Sequence, residues 1–364
     1  MRSPLRAAGL AIIAATLLAL PALAQQPPDD RISADGGVRL DGVTIPLSPL
    51  MSEEARVYMR HVIVDKPFGT PVPDIRDERK RQDGIMFGFL EPMRKRYHVE
   101  IREARIGGIV TDVVTPAGGV APENGDKVLI NLHGGGFVTG GRSASLVESV
   151  PLAALMKIKV ISIDYRMAPE YRFPAASEDV AAVYRELLKS YNPKHIGLYG
   201  CSAGGLLTAQ SVAWFAAHGL PEPAAVGVFC ASLGGFFGGD GSALAGPLNG
   251  MLPPLARSAA PGRGGPPPDP GYLATAKRDD PLAYPIASRE LVAHFPPTLL
   301  ITGTRSFEFS MALDSHNKLA AAGVESHFHA WDGMNHAFFY NSELPESREA
   351  YAIMADFFEK HLAG

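Results

Sequence analysis

The chain has 364 residues, with 34 Lys and Arg against 38 Asp and Glu, and a formal net charge of −4. That length suits one large α/β domain carrying an elaboration, and a mildly acidic chain without basic runs excludes a nucleic acid as the expected partner. Cys201 and Cys230 are its only cysteines, too few for a disulfide framework or a metal-ligand cluster. Both stand in apolar segments, where a free thiol behaves as a small hydrophobe. A Cys201–Cys230 bridge in an oxidising compartment is the alternative.

In chain order, Arg2 and Arg6 precede an apolar run from Ala7 to Leu20, and Ala22-Leu23-Ala24 offers a small-residue cleavage site. This order predicts a secretory signal over residues 1–24, removed on export, and so a periplasmic or secreted protein. A membrane anchor is the alternative, but the run is shorter than the roughly 18–20 residues a spanning helix needs. No later segment is long and apolar enough to span, so no stable membrane span is expected after cleavage. Residues 25–100 form an N-terminal segment. Within it, Ser52–Val64 reads as a helix, with Ser52 as N-cap and Glu53-Glu54 in the favourable first turn, and residues 72–97 are charged and helix-prone.

From about Arg105 short β-branched runs alternate with helical patterns. Val128–Leu132, Val160–Asp164, His195–Tyr199, Val226–Phe229, Thr298–Ile301 and Glu325–Trp331 are predicted strands. Ala175–Tyr191, the apolar run after Gly204 to about His218, and Glu346–Leu362 are predicted helices. The alternation implies a mostly parallel sheet covered by helices on both faces, spanning residues 101–364. Between about 234 and 285 the rhythm breaks in a Gly/Pro-rich stretch, read as a lid or cap insertion because structureless loops of that length are unusual inside a domain. A plain surface loop is the alternative.

Three motifs carry chemistry. Gly200-Cys201-Ser202-Ala203-Gly204 matches G-x-S-x-G between a predicted strand and a predicted helix, where a sharp turn lifts a serine hydroxyl clear of the sheet. Upstream, His133-Gly134-Gly135-Gly136-Phe137 closes another strand. Its glycines free backbone N–H groups to face a cavity, so the amides of Gly135 and Gly136, with that of Ala203, are candidates for an oxyanion hole. His133 is read as orienting this loop. Downstream, His336 follows the last strand, where a general base belongs. His327 and His329 alternate along that strand without an evident third ligand, so they are read as a solvated face, and no metal or other cofactor is expected.

In this order the motifs resemble the hormone-sensitive-lipase-like family of bacterial esterases. Asp164-Tyr165-Arg166-Met167-Ala168-Pro169-Glu170 and Phe173–Asp179 are similar to two further blocks of that family, which are structural there. The resemblance, over residues 105–362, implies an α/β-hydrolase fold with a cap built from the N-terminal region and the insertion. It also implies a Ser-His-acid triad acting on small or medium esters, with lactones within range. Two positions depart from the pattern. Cys201 stands where an Asp often precedes the nucleophile, and Ser306 stands where the triad Asp is expected. Glu308, two residues on, is the nearest carboxylate and the assigned acid; Asp332 and Asp314 are the alternatives. The reading is therefore a serine carboxylic-ester hydrolase using Ser202, His336 and Glu308 on a small-molecule ester. A non-catalytic binder on the same fold, or an acyltransferase, stands as alternative.

Overall fold

Among the described residues, eight strands form a single sheet in the order β1-β2-β4-β3-β5-β6-β7-β8. β1 (Val99–Ile106) and β2 (Ile109–Pro116) make an antiparallel hairpin across Gly107 and Gly108, both at positive φ. β3 (Val128–Leu132), β4 (Lys159–Ile163), β5 (Ile196–Cys201), β6 (Ala225–Phe229), β7 (Thr298–Gly303) and β8 (Ser326–Trp331) run parallel to one another. The structure is a computed structural model describing residues 45–65, 67–68, 71–249 and 271–362. The expected signal at 1–24, the start of the N-terminal segment and the centre of the 234–285 insertion lie outside the described residues.

The helices are α1 (Glu53–Asp65), α2 (Ile75–Arg96), α3 (Ala144–Leu155), α4 (Ala175–Leu187), α5 (Ala203–Ala217), α6 (Gly239–Leu248), α7 (Arg289–Val292), α8 (Phe309–Ala321) and α9 (Pro345–His361). Successive strand residues point to opposite faces, and β3 shows the result. Val128, Ile130 and Leu132 enter one core with Val180, Tyr184 and Leu206 of α4 and α5. Leu129 enters the other with Val147 of α3, Phe358 of α9, and Met59 and Met93 of the N-terminal helices. Each such side chain stabilises the fold by roughly 1.5–3 kcal/mol on burial. No described helix is long and apolar enough to cross a membrane.

The strand–helix alternation places elements close to where the sequence predicts them, with two differences. The β1–β2 hairpin begins at Val99, ahead of the change of pattern near Arg105, because a half-exposed hairpin carries charges along one face. The helix expected over Ala175–Tyr191 stops at Leu187. The chain then turns into Asn192-Pro193, and a residue before proline is driven to extended backbone, here φ −66 and ψ 136 at Asn192. Cys201 and Cys230 are both buried and free, so the bridge is not formed.

The tightest packing lies where the ends of β3 and β5 meet α5. A Cβ on Gly204 would stand 1.7 Å from the Leu132 carbonyl oxygen, and one on Gly200 would stand 2.1 Å from the same atom. Exposed Gly84, in the middle of α2, has nothing within 4 Å of such a Cβ. Gly204→Ala should therefore destabilise the fold by about 3 kcal/mol through overpacking, while Gly84→Ala should stabilise it by roughly 0.5–1 kcal/mol. Urea unfolding of the two variants checks both signs.

Candidate active site

The parallel strands end on one edge of the sheet, where open α/β folds bind ligands, and all three motifs sit on that edge. Ser202 lies between β5 and α5 at φ 57 and ψ −121, a left-handed backbone for a non-glycine residue. Its N–H donates to the Phe229 carbonyl of β6 at 2.8 Å. The bare Cα atoms of Gly200, Gly204 and Gly205 let neighbouring backbone close around the turn. This over-determination is what keeps a strained residue in place. Being at the head of α5, Ser202 also faces the positive end of that helix.

The loop after β3 lies beside it. A Cβ on Gly134 would sit 3.4 Å from the Ser202 Cβ, and Gly135 and Gly136 adopt φ of 114 and 64. Among the described residues the N–H groups of Gly135, Gly136 and Ala203 have no hydrogen-bond partner. Three free donors next to a strained serine form an arrangement suited to a developing oxyanion. His133 is fully buried, stacked on Tyr165 at 4.1 Å, and its Nδ1 bonds the Gly134 carbonyl at 2.7 Å. Burial pushes its pKa down to about 4, so the ring is neutral and structural at ordinary pH.

Glu308, the N-cap residue of α8, is completely buried. Its Oε2 accepts from His336 Nδ1 at 2.9 Å and from the Ser306 hydroxyl, and its Oε1 accepts from Thr302 Oγ1 at 2.8 Å. Burial opposes the charge, but His336 and the two hydroxyls outweigh it and hold the carboxyl below its ordinary value. A carboxylate on Nδ1 fixes the proton of the neutral ring there and leaves Nε2 as the acceptor. Ser306 does not replace an acid: it donates to one, with its Oγ 3.4 Å from Nδ1. Asp332 instead accepts from Thr304 Oγ1 at 3.0 Å, and Asp314 pairs with Lys318 at 2.7 Å.

The turn holding Glu308 and the loop holding His336 are stitched together by Thr304 N–H to the Trp331 carbonyl and Arg305 N–H to the Met334 carbonyl. Phe307 stacks on the imidazole at 4.4 Å and Phe237 stacks on Phe307 at 5.1 Å. The described flanks of the insertion therefore brace this corner: Ser242 Oγ donates to the Phe307 carbonyl, and Asn249 Nδ2 to the Arg305 carbonyl.

Ser202 and His336 open onto one cavity of about 610 Å³. Among the described residues Ser202 Oγ is not hydrogen-bonded to the ring, a bond that often tightens only when substrate binds. The N-terminal helices supply much of the wall, through Tyr58 of α1 and Ile85, Met86 and Phe89 of α2. Burial pushes the Tyr58 hydroxyl up to about 12 while its bond to Asn335, beside His336, opposes the shift. Reading the sequence missed Tyr58, Phe307, Tyr340 and Glu148 as parts of this site. Only Glu148 left a signal, as the single charged residue in an otherwise apolar or small-residue helix, α3.

Two clusters of potential metal donors exist among the described residues. In one, Cys230 joins Glu308 and His336, whose donor atoms already bond each other. In the other, exposed Glu325 meets the partly buried His327 and His361, and Lys360 holds the Glu325 carboxylate at 2.7 Å. His329 belongs to neither.

A family model described as the alpha/beta hydrolase fold matches residues 129–245 and 269–340. An acetyl-hydrolase of Streptomyces hygroscopicus is 30% identical over 283 residues, covering 74% of this chain and 90% of that one. Versiconal hemiacetal acetate esterase of Emericella nidulans is 32% identical over 125 residues; the match spans 34% of this chain and 42% of the length of that enzyme. Among solved structures, esterase E25 superposes with a TM-score of 0.71 at 27% identity, covering 89% of this chain and 98% of that one. An esterase from the bacterial hormone-sensitive lipase family gives the same TM-score at 25% identity, covering 85% and 99%.

The strain at Ser202 makes a prediction independent of any reaction. Ser202→Gly relieves a backbone conformation worth roughly 1–3 kcal/mol, less about 1 kcal/mol for the added freedom of glycine in the unfolded chain. A net gain of about 1 kcal/mol in chemical denaturation is expected, and a loss of stability would show that the turn is not strained.

Proposed function

Because this chain belongs to the alpha/beta hydrolase fold family and is similar in fold to an esterase of the bacterial hormone-sensitive lipase family, we propose that it hydrolyses carboxylic esters through an acyl-enzyme on Ser202. The observation that carries the assignment is the buried Glu308 carboxylate on His336 Nδ1, in a cavity shared with Ser202. It supports the following sequence. Nε2 takes the Ser202 proton as Oγ attacks the ester carbonyl. The imidazolium that forms is stabilised by Glu308, which gains a charge partner without solvent reorganisation. The oxyanion receives the N–H groups of Gly135, Gly136 and Ala203, each such donor contributing about 2.7–4 kcal/mol. The imidazolium then protonates the leaving alcohol, and a water deprotonated by His336 releases the acid.

The cavity supports small or medium esters. Its volume lies in the usual range for small-molecule sites, and Phe68, Ile85, Met86, Phe89 and Val138 give it apolar walls. The Glu78–Arg81 ion pair at its edge is internally satisfied, with Arg81 Nε on Glu78 Oε2 at 2.8 Å, so it offers no spare charge to an ionic substrate.

Acetate-to-octanoate chromogenic esters test the reading. The protein should turn them over, and Glu308→Ala should lower kcat by about 10³–10⁴-fold. Ser306→Ala removes only one hydrogen bond to the carboxylate and should cost about tenfold or less. Absence of turnover of every ester by the folded protein would overturn the function, and near-normal activity of Glu308→Ala would overturn the acid assignment. Product analysis with added alcohols separates hydrolysis from acyl transfer.

The basic, apolar and Ala-Leu-Ala segments of residues 1–24 support export. Expression in a Gram-negative host should place the active protein in the periplasmic fraction with Gln25 at its N-terminus, and a cytoplasmic product starting at Met1 would contradict this.

A further inference from the structure

The acyl-enzyme sequence leaves one buried acid without a task. Glu148 on α3 is 2% exposed, and its two oxygens are filled from separate parts of the site. Oε1 accepts the Gly134 N–H at 2.9 Å and the Tyr340 hydroxyl. Oε2 accepts the Asn131 side-chain amide at 2.8 Å and the Cys201 N–H at 3.2 Å. Gly134 directly precedes the proposed oxyanion donors, Cys201 directly precedes Ser202, and Tyr340 lies four residues beyond His336.

We propose that Glu148 is a positioning residue that holds the Gly134–Gly136 loop and the Ser202 turn in a single geometry, so that the oxyanion donors face the carbon that Ser202 attacks. This rests on the esterase reading above.

The chemistry of the group favours positioning over packing. An ionised carboxylate offers about four lone-pair directions, and here four donors use them, so no other residue of similar size satisfies the set. No Lys or Arg bonds it among the described residues, and burial pushes its pKa up to about 7 against the pull of these hydrogen bonds. A buried acid without a cation is an expensive way to fill space. Its acceptors, however, join backbone N–H groups from the ends of β3 and β5, whose relative placement decides whether Gly135, Gly136 and Ala203 converge. The acid comes from α3, while the residue before the nucleophile is Cys201, whose thiol has no comparable acceptor strength.

The test uses the full exported protein with p-nitrophenyl butyrate, and counts active sites by titration with an organophosphonate. Glu148→Gln keeps the size but turns one acceptor oxygen into an NH₂ facing donors. The kcat per titrated site should fall about 10–100-fold, with KM unchanged within about threefold. The Ki of a trifluoromethyl ketone should rise in parallel with the loss of kcat. Tyr340→Phe removes one donor and leaves the carboxylate, and should lower kcat about 2–5-fold. A Glu148→Gln enzyme whose kcat per site stays within about twofold of the original overturns the proposal. So does a loss accounted for wholly by missing active sites. If Glu148→Gln does not fold, unchanged kcat and Ki in Tyr340→Phe overturn it instead. Wild-type protein that hydrolyses no ester would sink the function and is recognised before any variant is compared.

Discussion

The geometry of this protein depends on one close approach, that of the Leu132 carbonyl at the end of β3 to the glycines flanking Ser202. With no side chain at Gly200 or Gly204, the β3 end and the start of α5 pack backbone against backbone. That contact sets the serine and the Gly134–Gly136 loop side by side, and it lets the Ser202 backbone stay at a positive φ. Any Cβ there would push the two loops apart, and with them the hydroxyl and the free N–H groups. Ser202 is thus held by what its neighbours lack.

The second constraint is electrostatic. Glu308 is a buried carboxylate, which would be costly alone, but three donors surround it and one of them is the ring it orients. Its carboxylate already stands on the ring, so the imidazolium of the proposed reaction needs no rearrangement to be stabilised. Ser306 contributes by sharing the same carboxylate oxygen as His336 Nδ1. In the proposed reaction the acid stands two residues along the turn from Ser306, and the longer glutamate side chain reaches the ring. Stacking of Phe237 on Phe307 and of Phe307 on His336 then couples the described flank of the insertion to the orientation of the His336 ring.

The N-terminal helices join the site by another route. α1 and α2 bury Met59 and Met93 in the same core as α3 and α9, and their remaining faces present Tyr58, Ile85, Met86 and Phe89 to the cavity. These walls are anchored by ordinary core packing. They also touch the residues around the candidate site, through the Tyr58 bond to Asn335 and the Phe89 ring against Tyr340.

The sequence by itself determined the elements whose signals are local. Strand and helix periodicity, G-x-S-x-G between a strand and a helix, and His-Gly-Gly-Gly at a strand end are patterns written in neighbouring residues, and they were enough for the sheet class and for naming Ser202, His336 and the glycine loop as candidates. Periodicity alone also misplaces element ends, as where α4 stops at Leu187 ahead of Asn192-Pro193 and where β1 starts at Val99 among charged residues. Among Glu308, Asp332 and Asp314 the sequence favoured the first only by nearness to the expected position. Tertiary packing separated them, burying Glu308 against His336 while giving Asp332 to Thr304 and Asp314 to Lys318. Glu148 shows the limit most plainly. An acid in an apolar helix marks itself as unusual, but its partners are 14, 17, 53 and 192 residues away, and only the fold brings four donors to one carboxylate.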